Sequence, residues 1–113
     1  MVSAFHPDLS LEDLFHATFE NDLTAQILKI FEGEILAVNS ATCEMFGYTQ
    51  EEFLMLQLNE FVVGNIAERE KMREALKTGK ANGIISFKKK DGAFFNGKVE
   101  AKNMVGLTGT NIV

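Results

Sequence analysis

The 113-residue chain has no tryptophan, a single cysteine, a single tyrosine and two histidines. The lone Cys43 rules out an internal disulfide and fits a reducing compartment. No stretch approaches the ~20 consecutive apolar residues that a bilayer-crossing helix needs. The N-terminus lacks the basic region followed by an apolar run that marks a secretory leader. A cytoplasmic location and no direct membrane contact are therefore expected. Positive charge is also scarce: eleven Lys and Arg stand against sixteen Asp and Glu, a formal net charge of −5. An acidic domain repels phosphate backbones and anionic lipid surfaces, so no nucleic-acid partner is expected. The one basic run, Lys88-Lys89-Lys90, adjoins an Asp-Gly turn and reads as a solvated strand end.

Hydrophobic residues make up 46% of the chain and charged ones 24%, the balance of a soluble globular protein rather than a disordered tail. The length fits one domain, large enough to bury roughly 60–70% of the surface of its unfolded chain without a disulfide or metal staple. Ten phenylalanines make this a core built on Phe. Residues 1–9 carry no periodic signal and read as a flexible lead-in, with a single domain over residues 10–113.

Ser10 is a good N-cap, and Leu11, Phe15 and Phe19 recur every four residues with Leu14 beside them. This predicts an amphipathic first helix ending near Asn21 or Asp22. Gln26–Phe31 and Ile35–Val38 read as two strands around a glycine-bearing turn. Asn39 and Ser40 can cap a helix over 41–46, with Gly47 as its left-handed stop. Thr49-Gln50-Glu51-Glu52 is a full capping box with Tyr48 and Phe53 at the staple positions. Asn59–Val63 reads as a single helical turn and Ile66–Thr78 as the longest helix, closed by Gly79. Gly83–Lys90 and Phe94–Val105 flank an Asp91-Gly92 hairpin turn. In the second of these strands Phe95, Gly97, Val99 and Ala101 alternate with polar residues, so one face is core and one is solvent. After a turn over Gly106–Gly109, Thr110–Val113 starts a strand that the sequence cuts short, which reads as a segment of a longer chain. Strands at both ends of a helical middle predict an α+β fold, with one five-stranded antiparallel sheet and short helices on one face.

Gly33-Glu34-Ile35-Leu36-Ala37-Val38-Asn39-Ser40-Ala41, then Phe46-Gly47-Tyr48-Thr49-Gln50-Glu51-Glu52-Phe53, then Lys90-Asp91-Gly92, occur in order and at the spacing of the PAS domain family, which the chain resembles from about residue 11 to 113. One position departs: Ile30 stands where many members carry an acidic residue. The resemblance implies a PAS-like antiparallel sheet and a sensory or interaction role. The individual motif residues have structural roles of their own, in turns, caps and strand ends.

The chemistry-bearing residues are few. Cys43 has no His or Lys on its helix, and both histidines lie upstream, so it reads as a small core residue rather than a nucleophile. No nucleophile–base pair can be assembled, and this domain is not expected to be an enzyme. Light-sensing members of the family use a cysteine well after the Gly-Tyr pair; Leu56–Gly64 has none, which disfavours a cysteinyl-flavin adduct. Haem-binding members often place an axial His on the long helix; Ile66–Thr78 has none, which disfavours haem. No metal site is expected. Non-covalent flavin or a small apolar ligand remains compatible.

The inner sheet face of Ile85, Phe87, Phe95, Val99 and Ala101, under helices carrying Phe46, Phe53, Phe61 and Met72, admits two readings: a filled core, or a shell around a small ligand oriented by Asn39 or Ser86. Gly97 in mid-strand points to local space. The first helix likewise either folds back on its own sheet or packs against a second copy through Leu11, Leu14, Phe15 and Phe19, the segment through which PAS domains commonly form homodimers. The expectation is a sensory module relaying a change to an effector in the same chain, such as a histidine kinase or diguanylate cyclase. The alternative is a ligand-free dimerisation module.

Overall fold

A computed structural model of the chain describes residues 19–20, 22–30, 33–63, 66–104 and 106–112. The expected first helix over Leu11, Leu14 and Phe15 lies outside these residues, as does the lead-in. The described elements are β1 (Ala25–Ile30), β2 (Ile35–Val38), α1 (Ser40–Phe46), α2 (Gln50–Leu54), α3 (Leu58–Phe61), β3 (Val62–Val63), α4 (Ile66–Leu76), β4 (Lys80–Lys88), β5 (Phe94–Met104) and β6 (Leu107–Ile112). They form one antiparallel sheet in the order β2-β1-β6-β5-β4-β3.

Six strands replace the expected five. Val62 and Val63 pair with Phe87 and Ser86 as a short edge strand, where a helical turn was expected. Two adjacent β-branched residues fit a pleated edge better than a helix end. The last strand begins at Leu107 rather than Thr110. Gly106 lies in the turn, at φ 82°, whereas Gly109 lies within the strand opposite Leu28 and Lys102. β6 is therefore a full central strand, paired with β1 from Ala25↔Ile112 to Ile30↔Leu107.

The helices start and stop where their local chemistry directs. Asn39 caps α1, and Gly47 ends it at φ 84°, donating its N–H to the Cys43 carbonyl. That φ strains any residue with a Cβ. Thr49 Oγ1 accepts from the Glu52 N–H (3.1 Å) and Glu52 Oε1 from the Thr49 N–H (2.8 Å), the reciprocal box that satisfies two orphan amides. The Tyr48 ring meets Phe53 edge-on at 5.5 Å.

Phe46, at the end of α1, is fully buried and organises one half of the interior. Phe53 (5.4 Å), Phe61 (5.6 Å), Phe87 (5.4 Å) and Phe95 (5.3 Å) all approach it edge-on, the arrangement that ring quadrupoles favour. The β4–β5 hairpin is tied to the same corner. The Lys90 N–H donates to the Phe46 carbonyl at 2.9 Å, and Lys90 Nζ meets Glu52 Oε2 at 2.7 Å. The basic run is thus more than a solvated strand end, since Lys90 joins the hairpin to α1 and α2.

Hydrogen bonding from Lys90, then from the Thr49 backbone, holds the Glu52 carboxyl below its ordinary value. A depressed carboxylate stabilises the fold above the ordinary carboxylate range, and that stability is lost as pH falls through the range to the depressed value. Glu52→Gln is therefore expected to lower the urea midpoint at neutral pH, modestly for so exposed a pair. The difference from the parent should shrink at about pH 3. A difference that is the same at both pH values would show that the charge contributes nothing.

Candidate functional site

The inner face of the sheet is divided. Under α1 and α2 the five phenylalanines interlock and fill the space. Under α4 they do not, and a cleft of about 260 Å³ lies between that helix and β1, β4, β5 and β6. Among the predicted pocket residues, Phe61, Met72, Ile85, Phe87 and Val99 line it. Phe46, Phe53 and Phe95 belong to the aromatic cluster instead. Of the predicted dimer seam, Phe19 falls among the described residues, and it is buried within the single chain.

Gly97 has no free space beside it. A Cβ built there would stand 2.8 Å from Ile112 Cγ2 and 2.9 Å from Phe87 Cε2. The missing side chain is already replaced by neighbours from β6 and β4, so the glycine permits close packing rather than a void.

Asn39 is fully buried, but its polar atoms are committed to the protein. Its Oδ1 accepts from the Gln26 N–H (3.0 Å), the Thr42 N–H (3.1 Å) and the Thr42 hydroxyl (2.8 Å). Its Nδ2 donates to the Phe19 and Thr24 carbonyls, both at 2.9 Å. The Thr42 hydroxyl also lies 2.9 Å from the Gln26 carbonyl. One amide thus joins β1, the end of β2 and the start of α1 to the segment before β1. Ser86, the other polar candidate, bonds Asn96 Oδ1 through its hydroxyl at 2.7 Å, and neither side chain lines the cleft.

The cleft wall is mainly apolar, with Ile27, Val62 and Ile112 beside the predicted residues; its polar side chains are Thr108, Thr110, Lys29, Arg69, Glu70 and Arg73. The roof is loosely held, since no residue of α4 is fully buried. Arg69 escaped the sequence reading. Its signal was there: Arg69, Met72 and Leu76 share one helical face at spacings of three and four. Lys29 follows Ala25 and Ile27 on the inward face of β1 by simple alternation.

Among the described residues no cluster of three metal-ligating side chains occurs, and no helix is long and apolar enough to cross a membrane. Burial, reinforced by the Glu20 carboxylate, pushes the Cys43 thiol up, so the reactive thiolate is disfavoured at neutral pH.

The family model described as PAS domain matches residues 24–111, and the chain belongs to that family. The solved structures it resembles include a domain of the sensory box sensor histidine kinase/response regulator from Geobacter sulfurreducens (21% identity, 89% of this chain and 91% of that chain, TM-score 0.75). A second is the PAS domain of an HTR-like protein from Haloarcula marismortui (18% identity, 90% and 89%, TM-score 0.74). A third is a light-oxygen-voltage (LOV) protein of Rhodobacter sphaeroides (16% identity, 88% and 64%, TM-score 0.78). At these identities the likeness is one of fold. Among curated proteins, none matches this chain.

Two stability measurements test the site. Asn39→Ala removes the acceptor of two backbone amides and should cost about 2–4 kcal/mol, read from urea unfolding; a cost below about 0.5 kcal/mol would show that water replaces the side chain without penalty. Gly97→Ala should cost about 1–3 kcal/mol by overpacking, whereas Ala101→Leu, growing into the cleft, should stay within about 1 kcal/mol of the parent. Equal costs would mean that the cleft is not open space.

Proposed function

We propose that this PAS domain is a sensory module that binds a small, largely apolar ligand in the cleft beneath α4 and relays the binding to an effector in the same chain, such as a histidine kinase or diguanylate cyclase. The observation that carries this reading is the 260 Å³ cleft beside an otherwise tightly packed core. Its volume lies just under the ~300 Å³ at which drug-sized sites begin, which favours a ligand smaller than a flavin or a haem. A ligand that contacts both α4 and the sheet stabilises one arrangement of the two over the other, and only such differential contact shifts a population. The similar Geobacter domain belongs to a sensor histidine kinase/response regulator, which supports an effector of that class.

A gently purified sample should release a small molecule detectable by mass spectrometry, or show a raised unfolding temperature with a member of a metabolite panel. A saturating ligand at a hundred times its Kd adds about 2.7 kcal/mol. No co-purified molecule and no thermal shift would favour the ligand-free module.

The second reading, self-association, is favoured by one observation. Ile30 and Leu107 are cross-strand partners, and both are 39% exposed, an apolar pair on the surface of the sheet. A homodimer through the first helix and this surface predicts a concentration-dependent sedimentation coefficient; a constant monomer value would reject it.

A further inference from the structure

Charge around the cleft runs against the charge of the chain. The protein carries a net −5, yet three of the four ionisable side chains lining the cleft are cationic: Lys29, Arg69 and Arg73, against Glu70. Glu70 is already engaged by Arg73 at 2.8 Å. Arg69, half-buried, makes no ion pair among the described residues. A guanidinium stays charged at any physiological pH, and its aliphatic stem packs along apolar surface while the head stays polar. Beside a low-dielectric cleft its field is stronger than on an open surface, and its fork matches a carboxylate in two parallel hydrogen bonds.

Resting on the reading of the cleft as a ligand site, we propose that it takes an amphipathic monocarboxylate, with the apolar tail among Ile85, Val99, Ile112 and Met72 and the carboxylate at Arg69. At ~30 Å³ per water-sized group, 260 Å³ holds roughly nine such groups, an acid of about eight carbons with the carboxyl carbon included. Cationic amphiphiles are excluded by the same arginine, and neutral ones lose its contribution.

The test is titration calorimetry with sodium octanoate, 1-octanol and octylammonium chloride, below micelle-forming concentrations. The titrations use the parent, Arg69→Gln and Ala101→Leu, each shown by circular dichroism to be folded. Octanoate should bind the parent about tenfold or more tighter than octanol, and octylammonium should not bind. Arg69→Gln should erase the preference for octanoate while leaving octanol unchanged, and Ala101→Leu should weaken both. Octanol or octylammonium binding as tightly as octanoate overturns the ligand class and leaves the cleft a binding site. A full octanoate preference in Arg69→Gln overturns the assignment of the head group. No binding of any probe to the folded parent overturns both this assignment and the ligand-binding reading beneath it.

Discussion

The fold depends on the buried amide of Asn39. A strand that ends inside a protein leaves unpaired backbone groups, and so does a helix that begins there; each would cost free energy if buried without a partner. Here the two ends meet, and one side chain satisfies both. The same Oδ1 receives an amide from β1 and one from the first turn of α1, while Nδ2 takes up two carbonyls ahead of β1. An aspartate of identical shape would face those carbonyls with negative charge, and a leucine would orphan every group. Only a side chain that donates and accepts at once fits, which is why the helices can spring directly from β2 and lie back across the sheet.

From that corner the interior separates into two regimes. Planar rings from α1, α2, α3, β4 and β5 close on Phe46 and exclude space. Further along the sheet the side chains become aliphatic and α4 spans them without burying any residue completely. A helix so held contributes little to global stability and is among the elements that open at low free-energy cost. In the proposed sensory role, the rigid half would supply a fixed reference and the loose half the response.

What could be read from the residues alone was what is local. The capping box of Thr49 and Glu52, the left-handed stop at Gly47, the helix cap at Asn39 and the alternation along β5 are each decided within a few positions. So was the ordered motif set, and with it the family. Longer-range features could not be read. Val62 and Val63 become a strand because Ser86 and Phe87 lie beside them. Gly109 reads like a turn residue next to Gly106, yet its place is set by Leu28 and Lys102 on either side. Alternation shows which face a residue takes but not its neighbours along that face. Phe46, Phe53 and Phe95 therefore could not be separated from Phe61, Met72 and Val99. The space beside Gly97 is occupied by Phe87 and Ile112, a matter of ring size on adjacent strands. Arg69 and Lys29 were overlooked because charged residues on a helix and a strand end are ordinarily solvated.

The pairing of β1 with β6 has a consequence for how the protein is made. Ala25 meets Ile112, so the middle of the sheet joins the first and the last of the described strands, far apart in sequence. On the ribosome the β1–β2 hairpin emerges early and must wait with an open edge until β6 follows. Contacts of such separation are slow to form, because loop closure must precede their reward. Until they form, unpaired strand edges invite association with other chains. The nascent domain is thus most exposed to misassembly just before its last strand is released.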